Sequence, residues 1–110
     1  MIEKDRKKIL RNAIKTFGTE SQMMMAIEEM AELTKALCKW SRAKTEADLE
    51  TVMENIVEEL ADVGIMMEQL TMMFEADDAV TEIAATKLKR LEDRVAWART
   101  ALDCRKPTKN

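Results

Sequence analysis

The apolar residues of this chain recur at helical spacing over most of its length. Between Met23 and Trp40 they step by three and four residues, at positions 23, 26, 30, 33, 37 and 40. Similar stripes run through residues 49–74 and 84–102. Such spacing places the apolar residues on one face of an α-helix. Because only two glycines and one proline interrupt 110 residues, the pattern predicts an all-α fold.

The breaks between the stripes predict four helices, at residues 2–16, 20–41, 47–74 and from residue 77 onward. We expect them to form one domain over residues 1–110, a four-helix bundle with its core at about 20–95 and a polar tail at 104–110. Each stripe should form the packing seam of its helix. Gly64, inside the third helix, indicates close approach of another helix.

The residues between the helices suggest how the helices begin and end. Gly18 suits the C-cap of the first helix. Thr19, with Gln22 three residues later, has the pattern of a capping box for the second helix. Thr45 and Asp48 are alternative N-caps for the third helix.

Two pairs of acidic residues lie within the second and third helices. Glu29 and Glu32, like Glu59 and Asp62, are spaced i and i+3, which makes them neighbours on a helix surface. At about 100° per residue, both pairs fall on the same flank of their apolar stripes. The expected turn at 42–47 lies midway between the pairs, so an antiparallel hairpin should bring them to the same level. Four carboxylates gathered there would repel unless they share a cation, and such oxygen ligands favour Mg²⁺ or Mn²⁺.

The alternative for these residues is two separate, solvated acidic pairs on the helix surface. Either pair alone would favour that alternative. The two pairs share the same flank of their stripes and the same height along the expected hairpin, and this agreement favours a metal site. Glu28 and Glu58 point farther from the stripes. Glu58 is best read as solvated, and Glu28 as a second-metal ligand or a base that orients water.

These residues resemble the motifs of a known protein family. Glu28-Glu29-x-x-Glu32 followed by Glu59-x-x-Asp62 is similar to the EExxE and ExxD motifs of the MazG-like, all-α nucleoside triphosphate pyrophosphohydrolases. The resemblance covers roughly residues 20–95. It implies that Glu29, Glu32, Glu59 and Asp62 hold Mg²⁺, with Glu28 and Glu32 counted as catalytic.

The resemblance also implies substrate contacts. Lys39, Lys87 and Arg90 would stabilise charge on the triphosphate or the departing pyrophosphate, although solvated cations at helix ends are an equally good reading. Trp40 is placed to stack on a base, but its position in the stripe favours a core or interface role. Ala84 and Leu88 stand where several relatives have asparagine, which leaves the choice of nucleotide open.

The distribution of charge and the two cysteines limit the classes of protein to which this chain can belong. Residues 20–78 carry four basic and fifteen acidic groups, and both flanking segments are basic. The net charge of −3 does not indicate a nucleic-acid binder. No apolar run is long enough to cross a membrane. Cys38 and Cys104 fit no zinc spacing and suggest free thiols in a cytoplasmic protein.

We therefore expect a Mg²⁺-dependent nucleoside triphosphate pyrophosphohydrolase with a role in nucleotide-pool housekeeping. So many apolar positions on four helices also predict a homodimer or homotetramer. The main alternative is a non-catalytic helical interaction module. A di-iron bundle of the Glu-x-x-His type is excluded, since the chain has no histidine.

Overall fold

The computed structural model describes residues 1–105, and within them the chain forms four helices and no strand. The all-α prediction is therefore confirmed, and each predicted helix end up to residue 77 lies within one residue of the observed one. The helices are α1 (Glu3–Phe17), α2 (Thr19–Arg42), α3 (Glu46–Met73) and α4 (Asp77–Arg105).

The tail begins later than predicted, because α4 continues through positions 104 and 105. The rest of the predicted tail, residues 106–110, lies outside the described residues. Within residues 1–105, none of the helices has the length and apolar character needed to span a membrane. Both cysteines, Cys38 and Cys104, are free thiols, as expected, and both are exposed.

Gly18 separates α1 from α2 and serves both helices. Its φ of +93° is a conformation that residues with a Cβ rarely adopt. Its N–H donates to the carbonyl of Ile14 at 2.8 Å, and its own carbonyl accepts from the Gln22 N–H at 3.1 Å. The capping box predicted at Thr19 is wrong: α2 begins at Thr19, and no side chain caps its first turn.

Thr45 caps the N-terminus of α3. Its backbone is extended, and its hydroxyl oxygen accepts the N–H of Asp48 at 3.1 Å. This side chain satisfies one of the backbone donors that an α-helix leaves free in its first turn. Of the two predicted caps, Thr45 is therefore the one in use, and Asp48 lies inside the helix.

Helices α1, α2 and α3 form one compact unit over Met1–Glu75. The three residues between α2 and α3 turn the chain into a hairpin in which the two helices pack along their length. Helix α1 contacts both of them, and Arg6 forms an ion pair with Glu68 at 2.7 Å. The second unit begins at Ala76 and contains α4. The expectation of a single domain over the whole chain stays a prediction.

The apolar stripes of α2 and α3 form the predicted packing seam only in part. Ala26 of the first stripe is buried, and several members of the two stripes are half-buried: Met23, Leu33, Leu49, Val52, Ile56, Val63 and Leu70. Ala26 and Ala36, each 1% exposed, are the buried apolar residues of α2, and Met66 is that of α3. Large residues of both stripes are instead more than a third exposed: Met30, Leu37, Trp40, Met53, Leu60, Met67 and Phe74. The contact between α2 and α3 therefore includes part of each stripe, together with Glu29 and Glu59 of the acidic flank.

A further packing expectation fails within the first unit. A Cβ placed on Gly64 would have no atom within 4 Å, so neither α1 nor α2 approaches α3 closely there. In the second unit none of the described residues of α4 is buried, and the packing of its predicted seam stays a prediction. Its members are Ala84, Leu88, Leu91, Val95, Ala98 and Leu102.

Replacing Thr45 by alanine should lower the free energy of unfolding by about 1 kcal/mol, because the Asp48 N–H loses its acceptor. Urea unfolding at one fixed protein concentration measures this. The control is Thr51→Ala, since the Thr51 hydroxyl donates to the Ala47 carbonyl inside the same helix. That change should alter stability by less than about 0.5 kcal/mol. Equal losses in the two variants would contradict the capping role.

Candidate metal centre

Three of the four predicted ligands come together where α2 packs on α3. Glu29 projects from α2, and Glu59 and Asp62 project from α3. One carboxylate oxygen of each lies within 4.8 Å of the others. Acids about thirty residues apart in sequence are therefore neighbours in the fold, as the symmetry of the hairpin predicts. We refer to Glu29, Glu59 and Asp62 as the acidic cluster.

The acidic cluster is partly withdrawn from water. Glu29 and Glu59 are half-buried, and Asp62 is exposed. The Oε2 atom of Glu59 is buried and has no hydrogen-bond partner. A buried carboxylate oxygen without a partner is costly, because it has lost its hydration and gained no bond in return.

No basic side chain compensates for this charge within residues 1–105. The ion pairs in that range join Arg6 to Glu68, and Lys89 to Glu92 and Asp93. None of them involves the acidic cluster. The cluster therefore concentrates up to three negative charges where two helices meet, and none of the described residues supplies a cation to offset them there.

The titration of Glu29 reflects this environment. Its pKa is raised above the ordinary glutamate value, first by burial and then by the negative charges of Asp62 and Glu59. Hydrogen bonding with Glu59 and the charge of Glu32 raise the pKa further. Both burial and like charge disfavour the ionised form of a carboxyl group. A proton or a metal ion at this position would relieve the same repulsion.

The donor set fits a hard divalent cation. Carboxylate oxygens are the ligands that Mg²⁺, Mn²⁺ and Ca²⁺ prefer, and three of them already lie close enough to face one ion. A cation among them would provide the missing partner for Glu59 Oε2. The exposed position of Asp62 leaves the cluster open to solvent, so an ion and a ligand can reach it.

The other two predicted acids are placed differently. Glu32 is exposed and is not one of the three residues whose oxygens converge, although its charge acts on Glu29. It lies one turn along α2 from Glu29. Glu28 is exposed, as is Glu58, which the sequence suggested to be solvated. The structure thus brings together Glu29, Glu59 and Asp62 but not Glu32.

A pocket of about 300 Å³ lies toward the turn of the hairpin. Lys39 lines it, as do Arg42, Asp48 and Thr51. Lys39 is seven residues from Glu32, which puts both on one side of α2, roughly 10 Å apart along the helix. Sequence reasoning missed Arg42 and Thr51, although the i, i+3 spacing of Lys39 and Arg42 predicts two cations on neighbouring parts of one helix.

The remaining predicted contacts are exposed side chains. Trp40, at the end of α2, is 42% exposed, so it is not a core residue within the described chain. Lys87 and Arg90 are exposed on α4, in the second unit. Their role toward a substrate stays a prediction.

Comparison with known proteins found no matching family model, no matching curated protein and no matching solved structure. The resemblance to the pyrophosphohydrolases therefore rests on the motif residues themselves.

Glu29→Gln should raise the melting temperature of the metal-free protein at neutral pH. Because the pKa of Glu29 is raised by folding, this group stabilises the fold at low pH, and that stability is lost as the pH rises through the folded-state pKa. The neutral glutamine removes the loss. Thermal melts in EDTA at several pH values measure it, with Glu28→Gln as the control. A lower melting temperature for Glu29→Gln at neutral pH would show that the cluster is not under like-charge repulsion.

Proposed function

We propose that this protein is a Mg²⁺-dependent nucleoside triphosphate pyrophosphohydrolase. The convergence of Glu29, Glu59 and Asp62 carries the proposal, because a partly buried group of carboxylates that is paired with no cation of residues 1–105 has the donor chemistry of a divalent-ion site. The resemblance of the Glu28–Glu32 and Glu59–Asp62 motifs to those of pyrophosphohydrolases supplies the choice of reaction.

The reaction adds water across the bond between the α- and β-phosphates. One oxygen–phosphorus bond forms, the phosphoanhydride bond breaks, and the products are a nucleoside monophosphate and pyrophosphate. Glu29, Glu59 and Asp62 would hold the ion, and Glu32 would join them from one turn along α2. When bound, the ion supplies positive charge that offsets the charge on the phosphate oxygens. Glu28, exposed on the same helix, would accept a proton from the attacking water.

The pocket near the turn supports binding of an anionic substrate. Lys39 and Arg42 place two positive charges in it, and Thr51 adds a hydroxyl donor. Asp48 opposes them and reduces the net positive charge of the pocket. The exposed ring of Trp40 is available for stacking on a base. Lys87 and Arg90, on α4 in the second unit, are also predicted phosphate contacts.

The proposed activity also implies a cellular role and a location for the protein. A pyrophosphohydrolase of this kind would clean or regulate the nucleotide pool, which implies a cytoplasmic protein. A homodimer or homotetramer is part of the same proposal.

A second candidate function is a non-catalytic helical interaction module. The observation that favours it is the number of large apolar side chains exposed on α2, α3 and α4. Such surfaces are typical of proteins that associate through helices. In that case the acidic cluster would be a solvated patch, and Mg²⁺ would have no specific effect on stability.

Millimolar Mg²⁺ should raise the melting temperature, because a ligand that binds only the folded state stabilises it by about 2.7 kcal/mol at one hundred times its Kd. Glu59→Gln should abolish this increase, whereas Glu58→Gln, at the neighbouring exposed position, should retain it. The wild-type protein should release pyrophosphate from at least one common or modified triphosphate.

The same variants test the reaction. Glu59→Gln and Glu32→Gln should lower pyrophosphate release by a factor of about 100 or more, because each removes a carboxylate that would hold the ion. Glu58→Gln should stay close to wild type. A melting temperature that does not respond to Mg²⁺, together with no turnover of any triphosphate, would favour the interaction module.

Lys39→Gln should raise the KM for the triphosphate roughly tenfold, equivalent to about 1.4 kcal/mol, with a smaller change in kcat. The reason is the loss of one positive charge from the pocket. Lys44→Gln is the matched control, since Lys44 is an exposed cation in the turn that does not line the pocket. Identical steady-state kinetics for the two variants would remove Lys39 from the substrate site.

A further inference from the structure

The sequence contains two glutamines, Gln22 on α2 and Gln69 on α3, and both are buried. They are 6% and 3% exposed, and they are the buried polar residues among those that the structure describes. Glutamine is mostly found at the protein surface, because burial takes its amide away from water. Two buried glutamines in a unit of three helices therefore indicate a specific polar contact in its interior.

The two glutamines lie at the same level of the α2–α3 hairpin. Gln22 comes seven residues before Glu29, and Gln69 comes seven residues after Asp62. Seven residues are nearly two helical turns, so each glutamine lies about 10 Å from the acid of its own helix and within about 20° of the same face. Because α2 and α3 run in opposite directions, both steps lead away from the turn. Carboxylate oxygens of Glu29 and Asp62 lie within 4.8 Å of each other, so the two glutamines also face each other across the helix contact.

Helix α1 packs on this end of the hairpin. It contacts both α2 and α3, and its Leu10 is buried. Arg6 of α1 forms its ion pair with Glu68, the residue next to Gln69. The glutamines therefore lie close to the place where the three helices of the first unit meet, which accounts for the burial of such long polar side chains.

The amide oxygen of Gln69 is not satisfied by the protein. This atom, Oε1, is buried and has no hydrogen-bond partner among the described residues. The amide of Gln22, on the facing helix, therefore does not donate to it directly. A buried carbonyl oxygen without a donor is costly, and native proteins almost always provide one, either from another protein group or from an ordered water.

The chemistry of the pair selects water as its ligand. Two amides offer acceptor oxygens and N–H donors but no charge, so a buried ion would lose its hydration without gaining a counter-charge. An apolar ligand would leave Gln69 Oε1 unsatisfied. A water molecule can donate to Gln69 Oε1 and accept an N–H of Gln22 at the same time. Buried waters in proteins typically make about three hydrogen bonds to polar groups of this kind.

We propose that Gln22 and Gln69 bind one buried water between α2 and α3, at the end of the hairpin on which α1 packs. The water links the two helices through hydrogen bonds about 10 Å along the hairpin from the acidic cluster. Repulsion within that cluster acts to separate the same two helices. The inference does not rest on the proposed enzymatic activity, because it uses neither the carboxylates nor a substrate.

Nuclear magnetic resonance of the glutamine side chains tests for the water directly. Labelling Nε2 of glutamine with ¹⁵N gives two pairs of amide protons, since the chain has two glutamines. The Nε2 protons of Gln22 should show a nuclear Overhauser effect to a water that stays bound for longer than the protein takes to tumble. Gln69→Met should remove this effect, because the water loses its acceptor. A Gln22 amide that contacts only rapidly exchanging water in the wild type would overturn the proposal.

Urea unfolding of Gln22→Met, Gln69→Met and the double variant provides a second test. Methionine has the length of glutamine without its amide, so each single variant leaves one buried amide without its partner. Each single variant should unfold at a lower urea concentration than the wild type. The double variant should be at least as stable as the wild type, because no buried amide remains at this contact.

Asn12→Met is the matched control, since Asn12 carries an exposed amide on α1. It should keep the wild-type unfolding midpoint. Effects of the two glutamine substitutions that simply add in the double variant would show that the amides share no ligand, and would overturn the proposal.

Discussion

Repulsion between carboxylates at the contact of α2 with α3 is the constraint on which this structure depends. In an ordinary hairpin that contact would be filled by leucine or methionine. Here Glu29 and Glu59 occupy it with Asp62 beside them, and the raised pKa of Glu29 and the unpartnered oxygen of Glu59 are the consequences. Two helices keep such a contact only if the cost is offset, either from packing elsewhere or from a bound cation. Without a cation, the acidic cluster therefore lowers the stability of the contact between α2 and α3.

The buried residues around the acids are small. Ala26 and Ala36 lie three residues before and seven residues after Glu29, on nearly the same face of α2, and both are almost completely buried. Small side chains let two helices approach closely, and close approach brings short carboxylate side chains within reach of one another. The same choice removes apolar volume from the contact. Large apolar residues such as Met30, Leu60 and Met67 are more than a third exposed, so the acids occupy the contact at the expense of apolar burial.

The ends of the helices could be predicted from the sequence, as could the matching heights of the acids along α2 and α3, because both depend on local spacing. Breaks at residues 18 and 43–45 set the helix ends, and a hairpin about its turn pairs residues symmetrically. The direction of packing could not be predicted in this way. Periodicity shows which residues avoid water, but it does not show what covers them. The whole stripe through Leu60 was therefore predicted to contact α2. For the same reason Gly64 was expected to touch a helix of its own chain. The cap at Thr19 failed because Gly18, with its positive φ, already occupied the cap position.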